Sequence, residues 1–306
     1  MFRLFCDSGA PTLYHKFARK KTDKGGYMGA FLKDRKHDNF DWLEDPEYLD
    51  YRERYIQYIK EHEHVLEVYT NLDIINNPAA TWENQRYFES RGLNPLPVWH
   101  FGSDISWLQR YIAKGYDYIG IGGLVPNPYD TIRPALDEIF TSLICDGKGM
   151  PRIKTHGFAA TSIRLMCRYP WYSVDSASWI KYAAFGGIMI PQKIKGEYRY
   201  TVNPHKINIS GKSPLKKAKD LHVSTLGNVL LAHVLDYIEF AGFKLGKSEF
   251  ENVDGKLKEI IVEPGLCNRP ELRSFLNAKY YMGLRDQLPE WPWAFKCKGL
   301  TLFNGE

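Results

Sequence analysis

The feature that most constrains this chain is an alternation: short apolar runs and longer amphipathic segments follow one another from the N-terminus to about residue 190. Parallel strands produce that rhythm, because each needs a crossover long enough to return to the same end of the sheet, and a helix is the usual crossover. Residues 3–6, 65–72, 96–99, 118–121, 152–155, 171–174 and 188–190 read as strands one to seven, and 258–262 supplies an eighth. Helical spacing covers 46–61, 78–90 and 162–168, with Asn77 as an N-cap and Pro78 at the first helical position, where a missing N–H costs nothing. Past residue 190 the rhythm changes. Alternating polar and apolar residues at 191–209 predict an inserted hairpin, and 221–240 and 270–281 predict helices. The expectation is an α/β chain of one domain over residues 1–306, a (β/α)8 TIM barrel with an inserted hairpin and helices in its C-terminal third, the insertion covering about 191–257.

Composition narrows the classes. With 44% hydrophobic and 25% charged residues the chain can bury a full core, which argues against long disorder. Its five cysteines, Cys6, Cys145, Cys167, Cys267 and Cys297, form no C-x-x-C pair. Neither a disulfide framework nor a zinc knuckle is visible, so reduced thiols, a cytoplasmic setting, no metal and no cofactor are expected. The stretch from Met1 to Asp7 is too short and too soon charged for a signal peptide, and no apolar run approaches the roughly 20 residues of a membrane span. A formal charge of +5 permits an anionic partner without requiring one. The 20 tyrosines and 8 tryptophans offer faces that stack on bases, or simply a Tyr-rich core.

In a barrel the active site lies where strands end, so the residues that close each strand are the candidates. In chain order they are Asp7-Ser8-Gly9, Asn71-Leu72-Asp73, His100, Gly122-Gly123-Leu124, His156-Gly157 and Asp175-Ser176. Carboxylates beside backbone-exposing glycines suit a planar polar substrate read along its edges, with one carboxylate free to attack or exchange protons. Duller roles stand beside these: Asp7 and Asp175 as turn or helix caps, Gly122-Gly123 as relief of crowding, and His100 and His156 as hydrogen-bonded structural residues.

The ordered set of Asp7-Ser8-Gly9, Asn71-Leu72-Asp73 to Arg86, the run from Tyr118 to Leu124, and His156-Gly157 through Tyr172-Ser173-Val174-Asp175-Ser176 resembles the tRNA-guanine transglycosylase superfamily over residues 3 to 190. It is most similar to the phage and bacterial branch of DpdA-type DNA-guanine transglycosylases. The resemblance implies base exchange: guanine is cut from its sugar, a covalent enzyme–sugar intermediate forms, and a 7-deazaguanine such as 7-cyano-7-deazaguanine (preQ0) takes the vacant place. By position, Asp175 resembles the nucleophile and Asp7 the general acid/base. Asp73 would accept from the base's ring and exocyclic N–H groups, and the Gly122-Gly123 backbone would meet its carbonyl. Ser8, Gly9, His100, His156 and Gly157 complete the implied substrate-binding set.

Departures bear on the substrate. Zinc-containing members carry a cysteine cluster and a histidine near the C-terminus, whereas Cys267 stands alone before Asn268-Arg269-Pro270-Glu271. The sequence ends soon after Trp291-Pro292-Trp293 without the tRNA-specific additions, which favours DNA, and Pro11 replaces an aromatic residue after the opening motif. The expected partners are DNA with its guanine flipped out or single-stranded, and a free 7-deazaguanine base; no membrane is expected, and a homodimer stays open. Candidate phosphate contacts are Lys16, Arg19, Lys20, Lys21 and Lys24, with Lys212, Lys216, Lys217 and Lys219 as a second group that reads better as a solvated helix face. The alternatives are a tRNA-guanine transglycosylase, a barrel nucleoside or glycoside hydrolase, and a nucleic-acid-binding barrel without turnover.

Overall fold

A computed structural model describes residues 4–17, 42–125, 127–160 and 162–297. They group into two compact units, one running to Asp175 and including Trp291–Cys297, the other covering Ser176–Glu290. Both mix α and β structure, and the parallel sheets belong to the first.

The first unit runs β1 (Leu4–Cys6), α1 (Ala10–Phe17), α2 (Pro46–His62), β2 (Leu66–Tyr69), α3 (Pro78–Ser90), β3 (Val98–His100), α4 (Ile105–Ala113), β4 (Tyr118–Gly122), α5 (Tyr129–Ile139), β5 (Lys154–Gly157), α6 (Ile163–Arg168) and β6 (Ser173–Val174). Strand β1 pairs parallel with β2, a parallel bridge from Thr70 to Leu96 leads on toward β3, and β3, β4, β5 and β6 are parallel neighbours in that order. Local chemistry starts the helices: Asp45 accepts from Tyr48 N–H ahead of Pro46, and Asn77 accepts from Ala80 N–H ahead of Pro78.

Alternate residues of these strands face opposite ways. Trp99, Ile119 and Ile121 enter an apolar core with Leu108, Tyr111, Leu136 and Phe140. A second core joins Leu13, Phe17, Tyr48, Ile56, Tyr69 and Phe88. Full burial of such side chains contributes roughly 1.5–3 kcal/mol each. The other parity holds Val98, His100, Tyr118, Gly120, Gly122, His156 and Ser173. Phe5 of β1 stacks on His156 of β5 with ring centroids 4.3 Å apart, although β2, β3 and β4 separate those strands. A flat sheet with strands about 4.8 Å apart would hold them roughly 19 Å from each other. The sheet is therefore curled, with β1 and β5 facing one another across its concave side.

Two contacts hold the end of this unit. Arg168 donates to both carboxylate oxygens of Asp137 at 2.7 and 2.8 Å, and Tyr169 Oη donates to the same group at 2.8 Å, tying α6 to α5 just ahead of β6. Phe295 N–H donates to Gly149 O, and a Cβ at Gly149 (φ +82°) would lie 2.3 Å from Phe295 O, so only glycine permits this approach.

The second unit is antiparallel where it has sheet. After α7 (Ser178–Ala184), β7 (Gly187–Ile190) pairs with β10 (His205–Asn208), the hairpin β8 (Gln192–Ile194) and β9 (Glu197–Arg199) lies between them in sequence, and α8 (Asn228–Phe240) precedes a second hairpin, β11 (Lys247–Val253) and β12 (Lys256–Glu263), and then α9 (Pro270–Gln287). Ile188, Ile190, Ile207, Val234, Tyr237 and Leu276 form its core. Asn277 of α9 accepts from Met189 N–H and donates to Gly187 O, fastening the helix to β7.

Several expectations are corrected. Strand two stops at Tyr69, because Asn84 of α3 captures Leu72 O at 2.7 Å and Thr81 captures Ile74 N–H at 2.9 Å, turning 71–74 into a loop. Strand five is shifted by two to Lys154–Gly157, since Arg152 N–H is taken by Ile144 O. Strand seven has an antiparallel partner, β10, and the segment expected as strand eight is one arm of a hairpin. Asp254 (φ 52°) and Gly255 (φ 74°) both adopt the left-handed conformation of a tight hairpin turn and bring 256–263 back on 247–253. The helix expected from 221 begins at Asn228, because Val223–Thr225 form a 3-10 turn that the His222 ring caps at Ser224 N–H. Among the described residues no helix is long and apolar enough to cross a membrane.

Candidate functional site

The segments that follow β1, β2 and β6 place Asp7 within electrostatic reach of both Asp73 and Asp175, all within the first unit. Asp73 is buried, and each of its oxygens has one partner. Ser8 Oγ donates to its Oδ1 at 2.5 Å, and His100 Nε2 lies 2.9 Å from its Oδ2. Ser8 is itself held by its N–H, which donates to Thr70 Oγ1 at 2.8 Å. The Asp73 loop rests on buried polar side chains of α3, Thr81 and Asn84, so the position of this carboxylate is built from the helix behind it.

Asp7 sits at the turn into α1. Gly9, with φ +74°, donates its N–H to Asp7 Oδ1 at 3.3 Å and accepts from Thr12 and Leu13 to start the helix. The turn-capping role is therefore real, and it coexists with a perturbed acid. Burial foremost, with the charge of Asp73 next, pushes Asp7 up to about 6 against the N–H of Gly9, and the charge of Asp175 adds to the rise. A carboxyl near 6 exchanges protons readily around neutrality.

Asp175 is about half exposed, its side chain at 49%, and its Oδ1 accepts from Ala159 N–H at 2.5 Å. Ala159 holds φ +48°, a left-handed conformation that costs a side-chain-bearing residue about 1 kcal/mol and here aims its N–H at the carboxylate. Burial raises the Asp175 pKa, and the Ala159 N–H opposes that rise. His156 Nε2 stands 3.8 Å from the same Oδ1. Burial of the imidazole lowers its pKa to about 4, so it is neutral at physiological pH.

The glycines divide by face. A Cβ at Gly122 would lie 2.7 Å from His100 Cδ2, so the bare strand gives the histidine its seat. Gly123, at φ +72°, turns the chain against the Phe101 backbone. The carbonyls of this pair accept from Phe101 N–H and Asn127 Nδ2. Gly157 lies against Ala160, Trp171 and Val174, and its carbonyl accepts from Asp175 N–H at 3.3 Å. Lys16 pairs with Glu47 at 2.9 Å, and Arg19, Lys20, Lys21 and Lys24 lie outside the described residues. In the second unit Lys212 pairs with Glu259 and Lys216 lies over Phe250. Among the described residues no group of His, Cys, Asp or Glu side chains is arranged to hold a metal ion.

Sequence reasoning missed Thr70, Tyr118, Ala159 and Ser173 as site residues. Tyr118 and Ser173 had a usable signal: each lies an even number of residues before an inward-facing group, Gly120 and Asp175. Ala159 had none, since its role depends on one backbone angle.

No family model, curated protein or solved structure matches the chain.

Proposed function

We propose that this protein is a DNA-guanine transglycosylase that exchanges guanine in DNA for a 7-deazaguanine, and that β1–β6 are the parallel portion of a TIM barrel. The observation that carries the reading is three carboxylates at the strand ends in three different settings: Asp73 braced by Ser8 and His100, Asp175 held by Ala159 N–H, and Asp7 raised to about 6 by burial and by the charges of the other two. Base exchange needs that division: one carboxylate to attack, one group to pass a proton back and forth, and one acceptor to read the base.

In this mechanism an Asp175 oxygen attacks the anomeric carbon as the glycosidic C–N bond breaks, and the bond's electron pair leaves with guanine, which takes a proton from Asp7. The incoming 7-deazaguanine gives its ring N–H proton to the Asp7 carboxylate and attacks the same carbon, and the ester's C–O electron pair returns to Asp175. Asp73, braced by Ser8 and His100, accepts from the base's donor edge through lone pairs those partners leave free. The target guanine reaches this site flipped out or single-stranded, with the basic segment from Lys16 to Lys24 proposed for the phosphates.

The test is incubation with guanine-containing DNA and 7-cyano-7-deazaguanine, digestion to nucleosides and mass spectrometry. The 7-deazaguanine deoxynucleoside is expected, and Asp175→Asn should reduce its formation by about 10³-fold or more. Incorporation into tRNA alone would move the substrate, and binding without turnover would overturn the enzyme reading. The half-exposure of Asp175 supports a second reading, a barrel nucleoside hydrolase in which water resolves the ester; release of guanine without insertion would select it.

A further inference from the structure

His156 is buried, its side chain 3% exposed, and its Nε2 has no hydrogen-bond partner. An orphaned buried nitrogen costs about 1–3 kcal/mol, so its persistence calls for a reason. Its surroundings hold the ring firmly. Phe5 stacks on one side at 4.3 Å and 22°, and Phe158 meets it edge-on at 4.3 Å. Phe158 reaches that place because β4 carries Gly120, where a Cβ would lie 2.4 Å from the Phe158 ring.

The other ring nitrogen belongs to a chain of hydrogen bonds. His156 Nδ1 is 2.6 Å from Ser173 Oγ, which is 2.6 Å from Tyr118 Oη. The chain can run in two directions. If Nδ1 donated, Nε2 would turn a bare lone pair toward Asp175 Oδ1, an oxygen already accepting from Ala159 N–H, and two acceptors would face each other where Nε2 is itself shut off from solvent. Run the other way, Tyr118 donates to Ser173, Ser173 donates to Nδ1, and Nε2 carries its hydrogen toward Asp175. The neutral imidazole that burial enforces fits this arrangement.

We propose that His156 is a positioning residue for Asp175: its Nε2–H, oriented by Ser173 and Tyr118, joins Ala159 N–H in holding Oδ1 and leaves Oδ2 to bond the sugar. The 3.8 Å gap closes by roughly 1 Å to make the bond. In the glycosyl ester Oδ1 is the carbonyl oxygen. As the incoming base forms its C–N bond, the C–O pair returns to the carboxylate, and the Nε2–H contact strengthens with the charge that develops there. The role rests on the base-exchange reading for its chemistry, while the hydrogen-bond chain itself stands independently of it.

Two measurements test it. In the exchange assay, His156→Leu is expected to lower kcat about 100-fold with KM for the free base nearly unchanged, and His156→Gln, which keeps an N–H near the same place, should recover most of that loss. Ser173→Ala should cost about 10-fold, with the same KM. A wild-type-like kcat in His156→Leu, or a loss confined to KM, overturns the proposal; a folded but inactive His156→Gln variant does so as well. The second measurement needs no turnover: 15N NMR of the wild-type protein near pH 7 should show His156 as the neutral Nε2–H tautomer, with Ser173→Ala weakening that preference. An Nδ1–H tautomer overturns the proposal even if base exchange is confirmed. An Nε2–H tautomer in a protein without base exchange keeps the hydrogen-bond chain and rejects the function.

Discussion

The two faces of β3, β4 and β5 share one backbone and differ in how their residues depend on each other. Outward, Trp99, Ile119 and Ile121 are at most 3% exposed and pack among helix side chains. Their contribution scales with apolar area, and a neighbour of similar volume could replace each of them. Inward, substitution is not local. Gly122 is bare so that His100 can lie across it, His100 braces Asp73, and Gly120 is bare so that Phe158 can press on His156. Removing one inward group displaces the next. A face that is built from coupled residues around carboxylates is a candidate site, and a face that is merely filled is a core.

The largest expected effect breaks the outward face. Ile121→Ala should lower stability by about 2–5 kcal/mol, read as a drop in the urea midpoint at unchanged m, with activity per folded molecule retained. If activity per folded molecule fell with it, the two faces would not be separable.

The next sharpens the inward face through pH. His156 is lowered to about 4, so the unfolded chain binds a proton that the native site refuses; this stability is complete above about pH 6.5 and is lost as pH falls toward 4, by roughly 3 kcal/mol. Asp7 is raised to about 6, so the native state binds a proton that the unfolded chain does not, and its contribution runs the other way, increasing as pH falls through 6. The two oppose each other between pH 4 and 6. Asp7→Asn removes one of them, so its urea midpoint should fall more steeply over that range than wild type. Parallel profiles would show that Asp7 does not titrate in the raised position.

The smallest is Gly122→Ala. Its Cβ would meet His100, and the ring must shift away from Asp73, at a cost of about 1–2 kcal/mol in stability. Exchange activity should fall by more than that stability loss explains, which the assay at fixed folded fraction would resolve.

Much of this arrangement is legible in the sequence. The rhythm of apolar runs located β1 to β6, and strand ends pointed to Asp7, Asp73, His100 and Asp175. The two-residue shift of β5 did no harm to the site, because a shift by the side-chain period leaves His156 on the same face. The second unit was read less well for an identifiable reason. The hairpin expected in 191–209 is present as β8 and β9, whereas Asp254-Gly255, with positive φ at both positions, carries a turn that makes strand eight a hairpin arm.

By itself the sequence determined the α/β alternation of the first unit, the helix starts at Asp45 and Asn77, and which residue types stand at the strand ends, because propensity, capping and side-chain period act over a few neighbours. The curl of the sheet, which sets Phe5 on His156, the capture of the Asp73 loop by α3, and the single left-handed residue Ala159 that faces Asp175 were decided only in the tertiary structure. Each joins groups far apart in the chain, and their energies exist only once distant segments have closed on one another.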